Sequence, residues 1–206
     1  MGTKKIAIVV IILVVLGGLG YFVFFKQEQS GTSSFSPSKT VKEVLGIKPS
    51  TGNWQTYRHK WVGFSIKYPE GYTVEEHAPS SGPVGEVFQV IFVPDPKDKP
   101  DLWKSVPLTV LVAPDAAYAE IQKELERVKA GAEYYKETPK TIAGIDGLEI
   151  KIGPNPNVGN NQHSIYAVIS HKKGYILFVS YAKDKNQLEK EAVPLFDAFL
   201  STLKLE

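Results

Sequence analysis

IYAVISHKKGYILFVSY, Ile165 to Tyr181, decides the fold of this chain. Two runs of β-branched, aliphatic and aromatic residues, Ile165 to Ile169 and Tyr175 to Tyr181, flank the polar tetrapeptide His171-Lys172-Lys173-Gly174. That pattern predicts a β-hairpin, with Gly174 able to supply a positive φ at the turn. Upstream, Phe64, Ile66 and Tyr68 alternate with Ser65 and Lys67, and Pro69-Glu70-Gly71 predicts a turn into a weaker strand over Tyr72 to His77. Val87 to Val93 and Leu108 to Val112 are apolar on both faces, as strands covered on both sides must be, while Leu148, Ile150 and Ile152 alternate with Glu149 and Lys151.

Two segments change period. Tyr118, Ile121, Leu125 and Val128 follow helical spacing, with Asp115 predicted as N-cap and Gly131 as stop. Leu188, Ala192, Leu195, Phe196, Phe199, Leu200 and Leu203 form a broad apolar stripe behind an Asp184/Gln187 capping box; Pro194 lies within it and should kink or divide the helix. Hairpins, one helix, more hairpins and a last helix make an α+β domain: a mostly antiparallel sheet sandwiched between two helices, one per face. Helices do not alternate with strands, which disfavours a doubly wound parallel sheet, and neither nucleotide-binding glycine fingerprint occurs. About 150 residues suffice for one core.

Outside this domain the decisive feature is Ile6 to Phe25, twenty residues without a charge. As a helix they would cover about 30 Å, the thickness of a bilayer's hydrocarbon core. Lys4 and Lys5 precede the run, Tyr21 and Phe25 belong to an aromatic cluster at its far end, and Lys26, soon offset by Glu28, follows. The positive-inside rule then places residues 1–5 in the cytoplasm, 6–25 across the plasma membrane as a single pass, and the rest outside. A cleaved signal peptide is the competing reading, with small residues at Gly18-Leu19-Gly20; the apolar run continuing five residues beyond Gly20 favours a retained anchor. Ile6 stands where an N-myristoylation signal needs Ser or Thr. Residues 26–53, rich in Ser, Thr, Gly, Gln and Lys, read as a flexible linker, with a short helix after the Thr40/Glu43 capping box as an alternative for part of it. Residues 54–206 are the globular domain.

The 206 residues carry 24 Lys+Arg and 22 Asp+Glu, are 43% hydrophobic, and include no cysteine. Three of the lysines lie in residues 1–26, leaving 21 basic against 22 acidic groups on the other 180, so no electrostatic bias towards nucleic acid exists. Disulfides, thiolate metal sites and thiol nucleophiles are excluded. The histidines show no metal-ligand spacing: His163 and His171 fall on one face near opposite strand ends, His59 in a predicted turn, His77 near a strand end. Ser65 is not in a nucleophile-elbow motif. Glu75 and Glu76, being adjacent, point to opposite faces of a strand. Asp95, Asp98 and Asp101, in a Pro-rich loop, offer oxygen ligands for a hard cation, but Lys97 and Lys99 oppose it and a solvated loop is the simpler reading. Gly153 to Asn161 reads as a long polar hairpin loop, either a recognition loop or a tolerated insertion. Trp54, Trp61, Trp103, Tyr134 and Tyr135 are candidates for an exposed aromatic patch, with core packing the explanation for most. Trp103, beside the Asp loop, is the candidate partner contact, with Asp95, Asp98 and Asp101.

The run Tyr57-Arg58-His59-Lys60-Trp61-Val62-Gly63-Phe64-Ser65-Ile66-Lys67-Tyr68-Pro69-Glu70-Gly71-Tyr72 resembles the opening of PsbP-like domains, and Ala198-Phe199-Leu200-Ser201-Thr202-Leu203-Lys204 resembles their closing helix. The resemblance spans roughly residues 54–206 and implies an antiparallel sheet between helices. The best-known members are extrinsic, non-enzymatic subunits that support photosystem II from its lumenal side. This chain departs from them in having an anchor where they have a cleaved transit peptide, and nothing in it indicates photosynthesis. No functional residue is carried over, because both matching motifs are structural. The expectation is a membrane-anchored, non-catalytic binding or assembly module without a cofactor, with a protein partner in or near the membrane. The alternatives are a small-molecule or cation-binding domain and a cell-envelope hydrolase.

Overall fold

The computed structural model describes residues 50–82, 85–94, 106–172 and 174–206. The Ile6–Phe25 run with Lys4, Lys5 and Lys26, the Thr40/Glu43 capping box, and Asp95, Asp98, Asp101 and Trp103 lie outside the described residues. Among the described residues no helix is long and apolar enough to cross a membrane.

Among the described residues ten strands and two helical regions follow one another, and those read from the periodicity come in the expected order. A small sheet joins β1 (Gln55–His59), β2 (Phe64–Tyr68) and β10 (Lys204–Leu205), with β2 in the middle. The large sheet has seven strands: β3 (Tyr72–Gly82), β4 (Gly85–Pro94), β5 (Leu108–Pro114), β6 (Tyr135–Ile142), β7 (Ile145–Ile152), β8 (His163–His171) and β9 (Gly174–Ala182). Their order across the sheet is β3-β4-β5-β9-β8-β7-β6, and every pairing is antiparallel. Helix α1 (Asp115–Lys129) carries the chain from β5 over one face to the far edge, and the meander β6 to β9 brings it back beside β5.

Strands with alternating side chains that are apolar throughout need a lid on each side, and each side has one. Along β8 and β9, Ile165, Ala167, Ile169, Ile176 and Phe178 enter one core, and Tyr166, Val168, Leu177, Val179 and Tyr181 enter the other. The second core is closed by Ala117, Ile121, Leu125 and Val128 of α1. The first is closed by Leu188, Ala192, Phe196 and Phe199 from the C-terminal helical region together with Phe64, Ile66 and Tyr68 of the small sheet. The expected sandwich is therefore present, with a three-stranded sheet added beside the last helix.

Pro194 divides that last region as its chemistry demands. After a short turn α2 (Lys185–Gln187) the backbone widens into a π-helical stretch, Leu188–Ala192, before α3 (Val193–Ser201). Val193 N–H reaches back five residues to Leu188 O. The extra residue is thus absorbed just before Pro194, which then sits in the first turn of α3, where a missing N–H is tolerated. The capping box forms at the other end: Asp184 accepts from Gln187 N at 2.8 Å, and the Gln187 side chain reaches back to Lys183 N at 3.0 Å.

Four local expectations are corrected. The residue preceding α1 is Pro114, without a side-chain cap, and Asp115 is the first helical residue, where its charge favours the helix N-terminus. Gly131 is not left-handed; it is small because Asn155 packs against it, an added Cβ lying 2.8 Å from Asn155 Oδ1. At the β8–β9 turn the positive φ belongs to Lys172 (54°), whereas Gly174 is required by a close approach, its Cβ position being 2.5 Å from Ala113 O on β5. His59 ends strand β1 rather than lying in a turn.

Strand β6 did not announce itself, because YKETPKTI is mostly exposed and contains Pro139. It is an edge strand, the setting in which proline is tolerated in a sheet. Lys140 ties this edge to the last helix, pairing with Glu149 of β7 and with Asp197 of α3 at 2.5 Å.

Candidate functional site

The tight turn between β1 and β2 carries the most distinctive surface of the domain. Its backbone is closed by Gly63 N–H donating to His59 O at 3.0 Å, with Gly63 at φ 75°. Two histidines brace the intervening Val62. His59 Nδ1 accepts from Val62 N at 3.3 Å, and His171 Nε2–H, at the far end of β8, donates to Val62 O at 3.1 Å. Lys172 Nζ donates to the same carbonyl at 2.8 Å and lies over Gly63, where a Cβ would come within 2.6 Å of it. Gly63 O in turn accepts from Glu206 N at 2.8 Å.

This fixed turn holds Trp61 outward. Among the described residues Trp61 is the exposed large hydrophobic, with 81% of its surface open. Its ring meets the half-buried Phe88 edge-on at 6.0 Å. Phe88 also meets His59, which stacks on buried Phe64 at 5.5 Å. Strand β1 and its turn carry Arg58 and Lys60, and Lys172 reaches the turn at Val62 O; all three are exposed. The acids nearby are engaged: Glu206 pairs with Arg58 at 3.5 Å, and Glu76 accepts from Tyr57 OH at 2.8 Å. The signal in the sequence was an aromatic residue following Lys60, just after the turn predicted at His59.

His163 is structural, and His77 is exposed on β3. His163 Nδ1 and the Tyr134 hydroxyl share a hydrogen bond of 2.9 Å, and burial with the nearby Glu189 and Glu133 pushes the phenol's pKa up to about 12, so that it keeps its proton. Among the described residues no cluster of His, Asp and Glu is placed to hold a metal ion. The base of the Gly153 to Asn161 loop is packed against α1, while Pro156, Asn157 and Gly159 at its tip are exposed. Buried Asn155 sends Nδ2–H to Val128 O at 2.6 Å, capping the C-terminus of α1, and accepts from Asn157 N at 3.1 Å.

Burial holds the pKa of His59 and of His163 below the ordinary imidazole value, against the opposing pull of Glu76 on the first and of Glu133 and Asp184 on the second. On acidification the unfolded chain therefore takes up these protons first, so folded stability falls as pH drops from the unfolded value of about 6.5 towards the lower folded values. We expect the melting temperature to decline between pH 7 and pH 5, and the H59Q/H163Q double variant to show a flatter profile in the same scan.

No family model matches the chain, and no curated protein matches it. Among solved structures the chain is similar to cyanobacterial PsbP (CyanoP) from Synechocystis sp. PCC 6803, at 15% identity over 83% of this chain and 100% of that one, with a TM-score of 0.47. It is also similar to the Ran-binding protein Mog1p of Saccharomyces cerevisiae, at 8% identity over 74% and 95% of the two chains, TM-score 0.44. LpqN of Mycobacterium tuberculosis, described as involved in cell envelope biogenesis, matches at 12% identity over 75% and 92%, TM-score 0.32. At such distances no activity or partner passes from those proteins to this one.

Proposed function

We propose that this chain is a single-pass, membrane-anchored, non-catalytic module whose C-terminal domain is displayed outside the cytoplasm and binds a protein partner in or near the membrane. The observation that carries the reading is the uncharged run Ile6 to Phe25 with Lys4 and Lys5 before it and a polar linker after it. A run of that length, apolar on every face, matches the requirement of a bilayer core and exceeds what one side of a soluble helix needs. The domain supports the reading through the use it makes of its histidines: His59, His163 and His171 are spent on a turn and a tyrosine contact, all within the fold.

The test is carbonate extraction of membranes from cells expressing the full chain, followed by protease treatment of intact cells or spheroplasts. The protein should resist extraction, and external protease should remove the C-terminal domain. Release into the aqueous fraction, or protection of the domain until the membrane is permeabilised, would overturn anchor or orientation respectively. Affinity capture from detergent-solubilised membranes should then recover one stoichiometric partner.

A further inference from the structure

We propose that the Trp61 turn is a membrane-surface contact, which lays the domain onto anionic phospholipid headgroups of the same bilayer that holds its anchor. The inference rests on the anchored reading above and adds the surface and the ligand chemistry.

Two observations carry it. Trp61 is presented, not merely exposed: His59, His171 and Lys172 fix the backbone at Val62, and Phe88 supports one edge of the indole. An indole held this way is suited to the headgroup boundary, where its apolar body and N–H are both satisfied. The charges there leave a small positive excess, Arg58, Lys60 and Lys172 against Glu76 and Glu206; with Arg58 paired to Glu206, Lys60 and Lys172 are the cations that face an anionic surface.

Size and reach separate a lipid surface from a protein partner at this spot. A stable protein interface takes about 800 Å² from each partner. One protruding indole offers about 250 Å² at most, whereas a domain already held at the bilayer by an anchor needs only a marginal, reversible second contact, which one inserted aromatic beside basic residues supplies. Strand β1 spans about 17 Å from the domain's first residues to the Trp61 turn, and residues 26–53, read from their composition as a linker, would have a mean span of about 30 Å. The tether is therefore long enough for the domain to roll this end onto the bilayer.

The experiment reconstitutes the full-length protein into nanodiscs of phosphatidylcholine, or of an equal mixture with phosphatidylglycerol, with acyl chains either ordinary or brominated near the headgroup. Subtracting the emission of W61F, a surface substitution that leaves the fold intact, isolates Trp61 from Trp54 and Trp103. We expect bromine to quench this Trp61 emission in phosphatidylglycerol discs and not in phosphatidylcholine discs. K60Q should lower the ratio of docked to undocked domain about fivefold, the effect of one basic residue at an anionic surface, and added salt should act in the same direction. Equal emission in ordinary and brominated phosphatidylglycerol discs would overturn the inference while leaving the anchor standing, as would a Trp61 shift that appears only when a captured protein partner is added. Equal quenching in both lipids would overturn the anionic specificity. A chain stripped from the discs by carbonate would remove the anchor itself, and the inference with it.

Discussion

F199A will lower the free energy of unfolding by about 3–5 kcal/mol. Phe199 lies on α3 and is fully buried. Its ring sits 5.4 Å from Phe92 of β4 and 6.3 Å from Phe178 of β9, both in edge-to-face contact. Truncation removes the ring's own transfer free energy and leaves a void walled by these two aromatics. The strands behind them are held in register by their neighbours and cannot collapse into it. For a domain of this size that loss is a large part of the total stability. Urea titration should show a lowered midpoint with an unchanged slope. L195A, at a half-buried position on the same helix, should lose clearly less. Equal losses at both positions would mean that α3 packs through a different face.

N155A will cost about 2–3 kcal/mol, although it alters a polar residue in a loop. Val128 O would keep only the long 3.4 Å bond from Gly131 N, and Asn157 N would lose its acceptor. N155D should be worse than alanine. It removes the amide donor, turns an acceptor towards Val128 O, and sets a negative charge at the negative end of the α1 dipole. The same urea titration ranks the three proteins, and an aspartate variant as stable as wild type would dismiss the cap. Because Asn155 is joined to Asn160 through the backbone in both directions, the damage should spread through the loop. Hydrogen exchange at Asn157 and Val158 should rise in both variants.

The parts of the fold legible in the sequence are those whose own burial pattern states their place. Leu108 to Val112 and Ile165 to Ile169 are buried on both faces and read as central strands; Ile121, Leu125 and Val128 read as one side of a helix. The antiparallel sheet between helices that the PsbP-like motifs imply is present for the same reason, since both motifs are packing patterns. Strands β1, β6 and β10 were not legible. Tyr57 and His59 of β1 are half-buried, β6 is mostly exposed with Pro139 inside it, and β10 has two residues. Such strands exist because a neighbour offers hydrogen bonds, and that information is long-range.

Glycine roles failed for a related reason. Gly131 and Gly174 looked like conformational devices, but each makes room for another segment, Asn155 in one case and Ala113 in the other. Trp61 was visible as an aromatic, yet no periodicity separates an apex side chain that points to solvent from one that folds back onto a core. His171 sits 109 positions from the Val62 carbonyl it holds, so the bracing of that turn could not be read locally.

The pairing of β10 with β2 has a temporal consequence. Lys204 and Leu205 lie against Ser65 and Phe64, and Thr202 accepts from Lys67 N at 2.9 Å, so the early hairpin finds its second neighbour only when residue 205 has been made. Until then Phe64 and Ile66, both fully buried in the finished domain, lack the helix and strand that cover them. Contacts of such separation form late and slowly. A nascent chain therefore carries this greasy hairpin uncovered from its emergence until residues 202–205 have followed it out of the ribosome, an interval in which holding chaperones can reach it.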